Sequence, residues 1–382
     1  MEERQSLINA RRIVVKVGTN SLTEEDGGKI SVRKCSKIVD GLQKLISMGK
    51  EVVLVTSGAG AAGVGRLGLP KKPGTLPEKQ ACAAVGQTVL MQMYDRLFSS
   101  YKLIVAQVLL TKNDIIQRRS YLNARNTLQT LLSYKTVPII NENDTVAVEE
   151  LRSEMRFGEN DTLSALVSGL VDAELLIILT DVEGLYDCDP RKNAKAGLID
   201  TVKKITPEIE TAAGKTGSAF STGGMAAKLK AAKIVMQSGI HMVLAGSGTP
   251  SVLTRIVTGE KIGTLFVPVK NPLSSKKQWI AYGLTPAGKI TVDGGAAAAL
   301  TGKGKSLLPS GIIGVEGDFQ CGDLVSIFNQ DQIEIGRGLV NYSAEDVRKI
   351  AGHKTMDIEH ILGYGGYEEV IHRDNMVCPK ED

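Results

Sequence analysis

The chain has 382 residues, 42% apolar and 23% charged, which excludes disordered and fibrous classes and leaves room for roughly two to three globular domains. Its formal net charge of +4 is spread along the sequence, a mild basicity that suits a small anionic substrate as well as nucleic acid. The start, Met1 to Gln5, is polar rather than signal-like, and no stretch reaches the roughly 18 apolar residues of a membrane span, so the expected setting is cytoplasmic with no membrane partner.

Residues 12–18 form a β-branched run ending in Gly18, the pattern of a buried strand and a turn. Thr19, Asn20 and Ser21 follow, and an amphipathic helix is expected over 31–48, capped by Ser31 and stopped by Gly49. A second strand, 51–56, runs into Ser57-Gly58-Ala59-Gly60-Ala61-Ala62-Gly63, read as a glycine-rich turn. Next come a helix at 78–98, a strand at 103–110, a helix at 120–133 and a strand at 136–140 that ends in Asn141-Glu142-Asn143-Asp144. The charged connection from Thr145 to Glu159 has the length of a functional lid. A helix at 161–171 and a strand at 175–179, ending in Thr180-Asp181, complete this alternation. Residues 215–224 are a small-residue loop with paired glycines, Gly223 and Gly224, that opens directly into an Ala/Lys/Leu-rich helix. A strand at 241–245 follows it.

Strand alternating with helix implies an α/β fold, an open and mostly parallel sheet with helices on both faces. In such sheets ligands bind outside the carboxyl ends of the strands. The polar and glycine clusters fall there, after residues 17, 56, 140 and 179. The Gly223-Gly224 loop adds backbone N–H groups and a helix start, the ingredients of a phosphate site. A lone Gly-Gly is ordinarily a flexible helix start with solvated lysines. Its coincidence with four strand ends favours the phosphate site, with Lys228 about one turn into the helix and able to reach back to the anion.

The texture changes near residue 270. A polar linker over 271–284 separates a first domain, 1–270, from short glycine-punctuated strands that read as a small β-barrel over 285–365. One helix, 343–350, interrupts the strands, and residues 366–382 read as a polar tail. The five cysteines, Cys35, Cys82, Cys188, Cys321 and Cys378, are scattered and form no Cys-x-x-Cys pair. They are expected as free thiols rather than disulfides or zinc ligands.

Six motifs then carry a resemblance. They are Lys-Val-Gly-Thr-Asn-Ser at 16–21, Val-Thr-Ser-Gly-Ala at 55–59, Asn-Glu-Asn-Asp at 141–144 and Phe-Gly-Glu-Asn-Asp at 157–161. Thr180-Asp181 with Gly184-Leu185-Tyr186, and Ser-Thr-Gly-Gly-Met at 221–225 through Lys228, complete the set. In this order they resemble the glutamate 5-kinase family of the amino acid kinase superfamily, and the C-terminal part resembles a PUA domain. The match covers about residues 10 to 365. That resemblance implies ATP-dependent phosphorylation of the γ-carboxylate of L-glutamate, the first step of proline biosynthesis. It also implies Mg²⁺, a homo-oligomer and feedback inhibition by proline. Where the family usually has Phe-Gly-Asp-Asn-Asp, Glu159 stands for the first Asp, an acidic arm one methylene longer, while Asn160 and Asp161 keep their positions.

Carboxylate attack on a γ-phosphate needs no general base, and none of the four histidines lies in the strand-end motifs. It does need cations to offset the meeting of like charges. Lys16 and Lys228 are the natural pair, and the resemblance places Lys16 between acceptor and phosphates and Lys228 on the transferring group. Asp181 is the expected anchor of both lysines through charge-assisted hydrogen bonds, although a strand-end Asp alone more commonly caps a turn. Asp161 neighbours this set as an indirect Mg²⁺ or lysine partner; direct metal ligands stay unassigned. The resemblance puts Ser57, Asp144 and Asn160 on glutamate. It puts Gly18, Thr180, Asp181, Thr222, Gly223, Gly224, Met225, Ala226 and Ala227 along the nucleotide with the two lysines. Acetylglutamate, aspartate and uridylate kinases are the neighbouring alternatives, and the paired Asn-Asp motifs and appended barrel speak against them. RNA binding by the barrel is disfavoured. Residues 286–364 carry seven Lys/Arg against ten Asp/Glu, a net charge of the wrong sign for a phosphate-binding surface. A structural or regulatory barrel is the preferred reading.

Overall fold

The computed structural model describes residues 2–378, apart from 25–28, 72, 112–113, 116, 147–158, 189, 191–192, 194, 215–223, 270–276, 278–279, 282–285 and 365. The chain divides into two compact units, residues 1–272 and 273–382.

The first unit opens with helix α1 (Glu2–Asn9) and strand β1 (Arg12–Val17). Then come α2 (Val32–Ser47), β2 (Glu51–Val55), α3 (Ala59–Leu67), α4 (Leu76–Ser99) and β3 (Val105–Leu110). The chain continues through α5 (Arg118–Ser133), β4 (Val137–Glu142), α6 (Glu159–Leu170) and β5 (Leu175–Thr180). It ends with β6 (Thr201–Val202), α7 (Pro207–Gly214), α8 (Met225–Gln237), β7 (His241–Gly246), α9 (Val252–Val257) and β8 (Thr264–Phe266).

These strands form one sheet in the order β3-β4-β2-β1-β5-β7-β8-β6. All neighbours are parallel except β7 and β8. The central strands read as unbroken apolar runs because both faces are covered, as parallel sheets require. Alternation still sorts their side chains. Ile13, Val15 and Val17 share one core with Leu54, Ile177 and Val243. Lys16 therefore points to the opposite face, level with Val55 on β2 and Ile178 on β5. From β1 the chain builds β2 on one side and β5 on the other, so the strand order reverses at β1. Open α/β sheets have their ligand crevice at such a reversal.

Three departures from the sequence reading stand out. The glycine-rich stretch after β2 is helical rather than a turn. Gly58 (φ +94°) starts α3 and Gly68 (φ +64°) ends it. Glycine is a poor helix former, but here it lets α3 and α4 touch backbone to backbone. A Cβ at Gly63 would sit 1.8 Å from the carbonyl oxygen of Cys82, and one at Gly86 would sit 1.7 Å from that of Ala59. Second, α1 is an ordered helix held by Arg4, which is 4% exposed. Its guanidinium donates to the carbonyls of Asp200, Glu260, Ile262 and Gly263 and to the Asp200 carboxylate, at 2.9–3.1 Å.

The third departure is in the second unit, a five-stranded mixed sheet. Its strands are β9 (Gly288–Val292), β10 (Ile312–Gly317), β11 (Leu324–Phe328), β12 (Glu334–Leu339) and β13 (Met376–Val377), ordered β10-β9-β11-β12-β13. The stretch expected as a polar tail from 366 supplies β13, which pairs with Arg337 and Gly338. It also places Val370 and Ile371 fully inside the core. Charged residues between these few apolar ones gave the stretch a polar average. Helices α10 (Gly294–Lys303) and α11 (Ala344–Ile350) accompany the sheet, the latter being the helix expected over 343–350, with Ser343 as its cap. All five cysteines are free thiols. No helix among the described residues is long and apolar enough to cross a membrane.

Candidate active site

The four strand ends that gather polar motifs belong to β4, β2, β1 and β5, which are consecutive in the sheet. The motifs therefore converge on one edge. Helices α3, α6 and α8 all begin beside these ends, each turning free N–H groups and partial positive charge toward it.

The centre of the site is a carboxylate shared by two lysines. Helices α6 and α8 pack on each other, and α6 packs on β1. This brings Asp161, in the first turn of α6, and Lys228, in the first turn of α8, to Lys16 on β1. Lys16 Nζ lies 2.5 Å from Asp161 Oδ1, and Lys228 Nζ lies 3.2 Å from Asp161 Oδ2. The carboxylate is 1% exposed and the two lysine side chains are 8% and 10% exposed. Burial alone would raise the Asp161 carboxyl, but the two ammonium groups outweigh it and hold it below the usual carboxylate range. Burial pushes the Lys16 ammonium below the ordinary lysine range, and the like charge of Lys228 adds to that against the pull of Asp161. Among the described residues one carboxylate thus faces two ammoniums, largely shielded from water, an arrangement able to hold developing anionic charge.

The anchor expected at Asp181 is thus at Asp161. Asp181 is exposed, and its carboxylate accepts a 2.9 Å hydrogen bond from the Thr180 hydroxyl at the end of β5. Its chain position beyond the last sheet bond leaves it in solvent, whereas Asp161 sits at the junction of two packed helices. Gly18 follows β1, and a Cβ there would come 3.6 Å from Lys16 Nζ, so glycine leaves that side of the ammonium open. Gly224 caps α8 in extended conformation and leads into Met225, Ala226 and Ala227. Thr222, Gly223 and the 147–158 part of the expected lid lie outside the described residues.

A second cluster lies on the β2–β4 side. The Asn160 side-chain amide, next to Asp161, donates to Ser57 Oγ at 2.8 Å and to Asn141 Oδ1 at 3.2 Å. Asn141, on β4, donates in turn to Gln87 Oε1 at 2.9 Å. Ser57 and Asn160 were both expected here. Asp144 lies two residues beyond β4, half-buried. Gln87 gave no sequence signal, because it comes from the middle of α4, where a buried Gln reads as an ordinary helix residue. Behind Ser57, the Thr56 hydroxyl and the Tyr94 phenol hydrogen-bond at 2.9 Å inside the core, which fixes the end of β2.

An open parallel sheet with paired cations at its strand-order reversal and helix N-termini around them is the architecture of a phosphoryl-transfer enzyme. Residues 11–246 match the model of the amino acid kinase family and residues 288–362 that of the PUA domain; the chain belongs to the amino acid kinase family. The sequence relatives are narrower still. Glutamate 5-kinase of Thermoanaerobacter sp. (strain X514) is 51% identical over 96% of this chain and 97% of its own length. The glutamate 5-kinases of Moorella thermoacetica and Carboxydothermus hydrogenoformans are 50% and 51% identical over 98% of this chain and 98–99% of theirs. Among solved structures, UMP kinase from Ureaplasma parvum is similar at a TM-score of 0.48 and 15% identity, over 67% of this chain and 98% of that one.

Proposed function

We propose that this kinase transfers the γ-phosphoryl group of ATP to the γ-carboxylate of L-glutamate, giving L-glutamate 5-phosphate, the first step of proline biosynthesis. The observation that carries the reading is the Asp161-anchored lysine pair set beside the Ser57–Asn160 cluster. One cluster suits the reacting anions and the other a zwitterionic head group. A carboxylate oxygen bonds to the γ-phosphorus while the bond from that phosphorus to the β,γ-bridging oxygen breaks, and ADP leaves; no proton moves. Lys16 faces both reactants and Lys228 the transferring group, offsetting repulsion that peaks as they meet. The N-termini of α3 and α8 hold the phosphate chain, Gly223 and Gly224 serving the latter. Ser57, Asp144 and Asn160 hold the glutamate head group, and Thr180 lies along the nucleotide. The exposed Asp181 carboxylate suits Mg²⁺, which kinases bind through phosphates and one or two carboxylates. When bound, that ion supplies further neutralisation of the phosphate charge.

Proline keeps the α-carboxylate and α-ammonium of glutamate and lacks the γ-carboxylate, so feedback inhibition by competition with glutamate belongs to this reading. So does a homo-oligomer, dimer or tetramer. The deciding experiment measures ADP release with ATP, Mg²⁺ and, separately, glutamate, acetylglutamate, aspartate and UMP. Preference for any acceptor but glutamate overturns the assignment. A grid of initial rates over glutamate and proline tests the inhibition, which must be relieved by raising glutamate.

A further inference from the structure

The three amides Asn160, Asn141 and Gln87 form a relay with a direction. Each amide has one donor end and one acceptor end, so a chain of three joined head to tail must finish with an unused acceptor at one end and an unused donor at the other. That is what is found. Asn160 Oδ1 and Gln87 Nε2 are buried, and neither has a hydrogen-bond partner among the described residues. In this direction Asn160 donates to Ser57, leaving the Ser57 proton free to donate elsewhere. The relay then ends in one unpaired buried acceptor, Asn160 Oδ1, and one free donor, the Ser57 hydroxyl. Were all three amides turned over, Ser57 would donate to Asn160, and the site would show an amide donor and a hydroxyl lone pair instead.

An α-amino-acid head group has the matching asymmetry, an ammonium that only donates and a carboxylate that only accepts. We propose that Gln87 is a positioning residue that sets the direction of the Asn141–Asn160–Ser57 relay and so fixes which way round the acceptor's head group docks. This deepens the glutamate reading and rests on it. In the observed direction the ammonium goes to Asn160 Oδ1 and the α-carboxylate to Ser57. Gln87 is well suited to hold that direction. It is 9% exposed, and it follows Gly86, where α4 packs backbone to backbone against α3.

The test compares Gln87→Met, which removes the acceptor offered to Asn141, with Gln87→Glu, whose ionised carboxylate can only accept and so preserves the direction. In Gln87→Met the KM for glutamate rises about tenfold, the loss of one aligned hydrogen bond, with kcat and the KM for ATP within about threefold. Gln87→Glu stays within about threefold of wild type in all three. Equal glutamate KM in the two variants, or an equal rise in the KM for ATP, overturns the proposal. Should Gln87→Met not fold, a tenfold rise in Gln87→Glu alone overturns it, and a wild-type value supports it. A measurement without substrate separates this idea from the choice of acceptor. With ¹⁵N-labelled asparagine, the Asn160 side-chain amide resonance of the free enzyme must shift in Gln87→Met and stay in place in Gln87→Glu. An Asn160 resonance indifferent to Gln87→Met refutes the relay even if glutamate is the substrate. A wild-type enzyme inactive on glutamate refutes only the substrate.

Discussion

At the scale of single residues, Asp161 does more than neutralise its neighbours. Two ammonium groups drawn to one buried carboxylate repel each other, and Asp161 is what keeps both in register with the sheet edge. Asp161→Asn is therefore expected to cost about 10²–10³ in kcat, as Lys228→Ala does, since each removes a preorganised charge from the reacting centre; turnover within about threefold of wild type in either variant would refute that residue's role. The lowered Lys16 ammonium fixes the sign of an alkaline effect. The protonated form is the useful one, and it is lost as pH rises through a value below the ordinary 10.5. In the free enzyme, kcat/KM should fall on the alkaline side before pH 10.5, and a profile flat to that pH would contradict it. The reacting centre was half legible in the sequence. Lys16 and Lys228 stood in strand-end and helix-start motifs that composition and spacing mark, while Ser57 and Asn160 came from the family resemblance. Which aspartate the lysines share was not legible, because that depends on how α6 lies against α8, and spacing along a chain does not record the crossing of two helices.

At the scale of elements, the contact between α3 and α4 links the fold to the site. Helix α3 begins two residues after Ser57, and α4 carries Gln87, so the glycine contact sets the distance between the two sides of the head-group cluster. Gly86→Ala must push the helices apart. It is expected to destabilise by about 1–3 kcal/mol, as overpacked sites do, and to raise the glutamate KM. Gly60, on helix α3, faces open space, with no atom within 4 Å of where a Cβ would stand, and Gly60→Ala should stabilise by roughly 0.5–1 kcal/mol through helix propensity. Thermal melts of the two variants decide this, and a shift of the same sign in both would show that the contact is not the controlling feature. The sequence hid α3 for a physical reason. Its glycines lower local helix propensity, and the compensation comes from a close approach to residues some twenty positions away. Strands β1, β2, β4 and β5 were readable because burial on both faces demands unbroken apolar runs.

At the scale of the whole molecule, every described residue of the site belongs to the first unit, and the second unit has a core of its own. A chain ending at Pro272 is expected to fold and retain part of the wild-type transfer activity. A soluble, folded truncate with no measurable transfer would show that the second unit completes the catalytic machinery. The division into two kinds of texture was legible, since glycine-punctuated short strands differ plainly from alternating strands and helices. The membership of the last residues was not, because a two-residue strand and a pair of buried side chains are too short to shift a local average.

The Arg4 clasp has a consequence in time. Its carbonyl acceptors at Glu260, Ile262 and Gly263 are 256–259 residues further along the chain. During synthesis, at about 5–20 residues per second, that separation is on the order of tens of seconds. Helix α1 is thus among the last elements of the first unit to dock in full. Until residue 263 emerges, the Arg4 guanidinium has Asp200 but lacks its full set of acceptors, while β1 to β5 already have their sheet partners. Protection of α1 in a nascent chain is therefore a clock for the first unit: it reports that the last strand of the sheet has arrived.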